Sequence, residues 1–251
     1  MSQDSGQVAL VSAGSRGVGA ATVRALAAAG WHVSFSHDRD ERSAVEAAFS
    51  ASELGVRVLA VQADVTRAGE VASWVRRAEE ELGPVQAAVS CAGISRDRPL
   101  ALLETADWRA VIDTNLDGAF HLCRAVLPAM MARRSGRIVT ISSVSAVYGG
   151  TAASTSSAAR AGIAGFTRAL ASQTRRYGIR VNAVAPAASG AASSRADLTP
   201  ILPEGTRVPL TEAIALRRFA SAAAAADRVA FLLSEAAADI TGTVLEVPGG
   251  I

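Results

Sequence analysis

Short, mostly apolar runs alternate along this chain with longer stretches in which apolar residues return every three or four positions. The runs, at 7–12, 31–36, 56–61, 85–90, 136–142, 179–184 and 244–247, have strand length. The stretches at 17–29, 40–54, 67–82, 105–114, 116–134 and 155–177 carry helical spacing. Gly30 and the Gly83-Pro84 pair punctuate two of the helix ends. Strands that are continuously apolar, rather than alternating, are buried on both faces, as in a parallel sheet between two helical layers. The expectation is therefore an α/β fold, a doubly wound parallel sheet of about seven strands. The low-complexity stretch 221–233 still suits an amphipathic helix, whereas 187–210 is irregular and rich in Ala, Ser and Pro and reads as a lid over one sheet edge. With no linker and no repeat, 1–251 reads as one domain.

Composition narrows the classes. Half of the 251 residues are hydrophobic, enough for a sizeable core, and the formal charge is only +2. No basic tract with interleaved aromatics points to nucleic acid, and no apolar stretch or leader pattern points to a membrane, so a soluble cytoplasmic protein is expected. The two cysteines, Cys91 and Cys123, make neither a metal motif nor a disulfide framework. All 25 basic residues are arginines, which excludes any mechanism needing a lysine amine.

The first run ends in SAGSRGVG, residues 12–19, and a helix follows. Gly14, Gly17 and Gly19, with Ser12, Ser15, Arg16 and Val18 between and beside them, form a turn that lets a pyrophosphate approach a helix N-terminus. The spacing resembles the T-G-x-x-x-G-x-G turn of the short-chain dehydrogenase/reductase family. The likeness continues through QADVT (62–66), VSCAG (89–93), DTNLDGAF (113–120), IVTISSVSAVYGG (138–150), RYGIRVNAVAP (176–186) and ITGTVLEVPGG (240–250). AGISRDRPL and MMARRSGRIV are most similar to the β-ketoacyl-acyl-carrier-protein reductases. The resemblance implies a Rossmann-like sheet in the order 3-2-1-4-5-6-7 and a dinucleotide cofactor. Asp64 and Val65 would lie at the adenine, and Ser90, Ala92, Gly93, Pro186 and Arg160 toward the nicotinamide. The second strand ends in Ser36-His37 without a carboxylate at the usual place, and Arg16 and Arg39 could clamp a 2′-phosphate or remain surface residues. NADP(H) is thus the expected cofactor, with His37 and Arg39 at its 2′ side.

The family carries out hydride transfer with a serine, a tyrosine, a lysine and an asparagine. Here Ser143 and Asn115 match, but Ser156 stands at the tyrosine position and Arg160 at the lysine position, within STSSAAR. A serine hydroxyl is a far weaker acid than a phenol, and its short side chain is not expected to reach where the phenol oxygen would sit, whereas arginine keeps the cation. Ala13, Ser90, Ala187 and Ala191 are further departures from the pattern. Tyr148, in the loop after Ser143, is the best substitute proton donor, with a pocket-wall role as the plainer reading. Asp97 can approach substrate or stand solvated; His32, His121 and Cys91 read as structural. Arg134 and Arg176 match, or adjoin, basic positions that dock an acidic acyl carrier protein, or are plain surface charges. The resemblance implies assembly through the helices at 116–134 and 155–177, usually into tetramers, as a homo- or hetero-oligomer with homologous subunits. Three functions are expected to compete: an atypical NADPH-dependent β-ketoacyl (polyketide or fatty acyl) reductase, a non-catalytic partner of an active homologue, and a non-redox cyclase, dehydratase or isomerase.

Overall fold

The computed structural model describes residues 6–149, 153–187 and 220–247. Most of the lid expected at 187–210 lies outside the described residues. Seven parallel strands form one sheet in the order β3-β2-β1-β4-β5-β6-β7. They are β1 (Val8–Val11), β2 (His32–His37), β3 (Val58–Gln62), β4 (Val85–Ser90), β5 (Gly136–Ile141), β6 (Ile179–Pro186) and β7 (Val244–Val247). The helices are α1 (Gly17–Ala28), α2 (Glu41–Ser52), α3 (Ala68–Leu82), α4 (Thr105–Ile112), α5 (Gly118–Arg133), α6 (Ser145–Tyr148), α7 (Ser154–Thr174) and α8 (Ala222–Leu233).

Two apolar layers sandwich the sheet. One gathers Leu10, Val71, Trp74, Leu122, Val126 and Ile138, sealed by α3, α5 and α7. The other gathers Ala9, Val11, Val23, Leu26, Val229 and Leu232, sealed by α1 and α8. All four residues of β1 are buried, because the strand lies between both layers. Trp74 is 1% exposed, and its indole N–H donates to Ser34 Oγ of β2 at 2.8 Å. That bond satisfies two polar atoms that burial would otherwise penalise. Thr140 and Thr167 likewise share a buried hydroxyl bond of 2.8 Å between β5 and α7.

Helix ends follow local chemistry. Asp40 caps α2 by accepting from Ser43 N at 3.0 Å, and Ser221 caps α8 by accepting from Ala224 N at 3.0 Å. The helices expected at 105–114 and 116–134 prove continuous, joined by a π-turn over Asp113–Asp117. Pro128 lies inside α5, within the helix expected at 116–134, whereas the short α6 was not anticipated. The expected helix 155–177 ends in a 3₁₀ turn, Arg175–Tyr177, closed by Gly178 at φ 67°. Among the described residues, no helix is long and apolar enough to cross a membrane, and no His/Cys/Asp/Glu cluster could hold a metal.

Candidate active site

The sheet order places β1 between β2 and β4, so the chain departs to opposite sides of the sheet from neighbouring strands. A crevice opens at the carboxyl ends of such strands, where ligands bind in this architecture. The segment after β1 makes the floor. Ser12, 1% exposed, accepts with one Oγ from Cys91 N and Ala92 N, both at 3.0 Å, tying the ends of β1 and β4 together. Gly14 N donates to Ser36 O of β2 at 2.9 Å, and Ala13 N donates to Ser36 Oγ at 3.2 Å. The turn is thus fastened on both sides.

Two close approaches explain its glycines. A Cβ on Gly14 would run into the ring of Phe35, and one on Gly19 into the carbonyl of Ala13. Gly17, at φ 57°, turns the chain into α1. Ala13 occupies the same left-handed region at φ 52° without being glycine. Arg16 is the N-cap of α1 but makes no side-chain cap, so the first-turn N–H groups of that helix have no side-chain partner there. Ser15 is half-buried, Arg16 exposed and Val18 half-buried along this rim.

At the end of β2, His37 is 9% exposed, and its Nδ1 has no hydrogen-bond partner among the described residues. Beside it, Arg39 meets Asp38 at 3.5 Å, with both side chains largely exposed. The Ser43 hydroxyl and then the Ser43 N–H hold the Asp40 carboxyl below its usual range, and Arg16 and Arg42 act in the same direction. After β3, Asp64 Oδ1 accepts from Thr66 N at 2.9 Å and from its hydroxyl at 2.8 Å, turning the chain toward α3. Val65 is buried, and its carbonyl bonds His121 Nδ1 at 2.9 Å, a structural role for that histidine. His32 Nδ1 accepts from Arg57 N at 3.1 Å, also within the scaffold.

The registers of β4 and β5 bring Ser90 opposite Thr140, so the segments leaving both strands emerge level with each other. Asn115, 1% exposed in the π-turn, clamps the first of them. Its Oδ1 accepts from Ile94 N at 2.8 Å, and its Nδ2 donates to Ile94 O at 3.0 Å. Arg160 reaches back from α7 to donate from Nη1 to Ile141 O at 2.5 Å. Its guanidinium lies over Gly93, where any Cβ would strike it and would sit 3.2 Å from Asn115 Oδ1. Gly93, Asn115, Arg160 and the end of β5 are therefore one packed unit. Burial lowers the pKa of Arg160, yet a guanidinium remains protonated. Burial pushes the Cys91 thiol up to about 12 against the opposing pulls of Thr22 and Arg160, which suits a packing role.

Ser143 Oγ accepts from Ser145 N at 3.2 Å and from Ser145 Oγ at 3.1 Å, bracing the turn that leads into α6. Pro186, at the end of β6, accepts from Val144 N at 3.2 Å and so holds the Ser143 loop in place. The Tyr148 hydroxyl is bonded to a carboxylate of β7. The residue is 59% exposed and donates to Glu246 Oε2 at 3.2 Å, and the Glu246 charge raises its pKa. A phenol so held is a poorer acid than a free one. Ser156, 8% exposed, instead donates to Asp97 Oδ1 at 2.6 Å, with Ser95 Oγ at 3.5 Å. The partnership of Asp97 with Ser156 was not foreseen; its only sequence signal is a carboxylate in the loop after β4.

Arg134 and Arg176 lie together elsewhere, with Arg134 Nη2 donating to Arg176 O at 2.8 Å. A groove of about 610 Å³ nearby is lined by Leu127, Met131, Leu170, Arg175, Arg176 and Tyr177. It lies at the far end of α7, a helix of 21 residues, about 30 Å from the Ser156 end.

A family model described as short chain dehydrogenase matches residues 7–198. A 3-oxoacyl-[acyl-carrier-protein] reductase of Synechocystis sp. is 37% identical over 98% of this chain and 96% of its own length. An acetoacetyl-CoA reductase of Paracoccus denitrificans is 38% identical over 97% of each chain. The solved structure of an NAD+-bound xylitol dehydrogenase superposes with a TM-score of 0.88 at 25% identity, covering 99% of this chain and 100% of that one.

Proposed function

The chain belongs to the short-chain dehydrogenase family, and from that premise we propose that it is a nicotinamide-dinucleotide-dependent oxidoreductase interconverting 3-oxoacyl and 3-hydroxyacyl thioesters. The observation that carries this reading is the fastened turn after β1. Gly14 and Gly19 sit where a side chain would collide with the scaffold, and α1 opens just after β1 with no side-chain cap on its first N–H groups. Gly14, Ser15, Arg16, Gly17, Val18 and Gly19 would hold the pyrophosphate there, on the floor that Ser12 secures. Asp64 and Val65 would flank the adenine. Ser90, Ala92, Gly93, Arg160 and Pro186 would border the nicotinamide, which when bound supplies or takes the hydride.

The 2′ side favours NADP(H). His37 ends β2 with a buried Nδ1 that has no partner among the described residues, and Arg39 gives up little in leaving Asp38, because exposed ion pairs contribute about 0–1 kcal/mol. Arg134 and Arg176 offer an acidic carrier protein two neighbouring cations. The substrate carbonyl would meet Ser143, whose oxygen already accepts two bonds and whose own proton has no recipient among the described residues. Titration of the purified chain with NADPH and NADH by calorimetry tests the reading, followed by absorbance assays with acetoacetyl-CoA. Micromolar binding and turnover, with NADPH preferred, are expected. No binding of either dinucleotide up to millimolar concentration would end the reading and turn attention to a role beside an active homologue.

A further inference from the structure

We propose that Ser156 and Asp97 form a proton-transfer pair that works as a base on a substrate hydroxyl, standing in for the phenol that this position lacks. The inference rests on the proposed function for its hydride acceptor, but its geometry does not. Ser156 is 8% exposed, and its hydroxyl donates to Asp97 Oδ1 at 2.6 Å, the short distance typical of an O–H bond to a carboxylate. A hydroxyl so committed presents only acceptor lone pairs to anything else. Its natural partner is a group that brings its own proton, an alcohol rather than a ketone.

The site around the pair supports this division. Ser156 opens the long helix α7, Asp97 comes from the exposed loop after β4, and Asn115 fixes the root of that loop through Ile94. Several charged and titratable groups on the surrounding elements already hold partners. Arg96 and Arg98 both face Asp107 of α4, at 3.7 and 3.9 Å. Arg160 of α7 bonds the Ile141 carbonyl, and Tyr148 of α6 bonds Glu246 of β7. None of these recorded bonds competes for the Asp97 carboxylate, so its partner is the Ser156 proton.

The step balances as a dehydrogenation. The hydroxyl proton of a 3-hydroxyacyl thioester passes to Ser156 Oγ as the Ser156 proton passes to Asp97. The O–H electron pair forms the carbonyl π bond, and the carbinol C–H leaves as hydride to an oxidised nicotinamide dinucleotide. In the reverse direction a protonated Asp97 returns the proton by the same route. Ser156 touches the substrate oxygen, and Asp97 acts through it.

The test compares the wild-type chain with Asp97→Asn, Ser156→Ala and Tyr148→Phe. Calorimetry without dinucleotide gives the affinity for 3-hydroxybutyryl-CoA and for acetoacetyl-CoA across a pH series. Wild type should bind the hydroxy ligand several-fold more tightly than the keto ligand, and the preference should vanish in D97N and S156A. With oxidised dinucleotide, kcat/KM for oxidation should fall about 100-fold or more in D97N, the usual effect of losing a positioned base. The acid limb of the wild-type pH profile should also disappear, whereas Y148F should stay within about twofold. A ligand preference and pH profile unchanged in D97N would overturn the pair while leaving the oxidoreductase reading intact. A D97N-sensitive ligand preference without any dinucleotide turnover would uphold the pair and refute the oxidoreductase reading.

Discussion

Replacing Ser12 by alanine removes a single oxygen and strands two backbone donors. The hydroxyl oxygen accepts from Cys91 N and Ala92 N at 3.0 Å each, at a site where Ser12 is 1% and Ala92 5% exposed. A buried donor without a partner costs about 1–3 kcal/mol. Cys91 is only half-buried, which places its share at the low end. The sum for Ser12→Ala is therefore about 2–4 kcal/mol. For a chain of this size, each kcal/mol moves the melting temperature by about 2–4 °C, so Tm should fall by roughly 5–15 °C. Urea and thermal unfolding followed by circular dichroism measure it. Ser12→Thr keeps the acceptor and should recover at least half of the loss. The same variants should rank alike in NADPH affinity, because the lost bonds join the two strands that frame the crevice. An S12A chain within about 0.5 kcal/mol of wild type would mean that the two N–H groups find other acceptors, and the bridge would be dispensable.

Two further substitutions probe strain and ionisation. Ala13→Gly should stabilise the chain by about 0.5–1 kcal/mol, since left-handed backbone costs a non-glycine residue about 1–2 kcal/mol and glycine returns part of that in unfolded-state entropy; a lower urea midpoint would refute the strain argument. Burial pushes the Cys123 thiol from 9.0 up to about 12, so between those pH values the unfolded chain loses a proton that the folded chain keeps. Stability should then decline as pH rises above 9, by about 1.4 kcal/mol per pH unit from this group. Cys123→Ala should lose less stability than wild type between pH 8 and 10 in urea titrations, and equal losses would contradict the burial effect.

The sheet was legible because its strands are coded as unbroken apolar runs, a local property. β4 and β7 appear at the expected residues, and other edges move by one or two positions, where apolarity tapers. The glycine turn was legible because glycine spacing between a strand and a helix is a local signal, although the residues that fasten it, Ser36, Cys91 and Ala92, lie far along the chain. Ala13 hid its conformation, since alanine carries no signal for a positive φ. The π-turn escaped because an extra residue within a helix leaves the composition helical. Ser156 and Asp97 stand 59 positions apart, and Tyr148 and Glu246 stand 98 apart. Only the fold decides which carboxylate each hydroxyl meets, so a substitution at the tyrosine position read as a loss where the structure places a Ser–Asp pair.

The π-turn between α4 and α5 acts as a phase shifter. In an uninterrupted helix Val111 and Leu122, three turns apart, would share one face. The wider turn at Asp113–Asp117 absorbs about one residue and so rotates one face by roughly 100° against the other. That lets α4 lie on α7 while α5 lies on β4 and α3, within one continuous rod. The rod consequently counts its residues. Losing one from the turn would straighten it, swing Asn115 away from Ile94 and release the loop that carries Asp97. Length variation among relatives should therefore avoid this rod and collect in other connections.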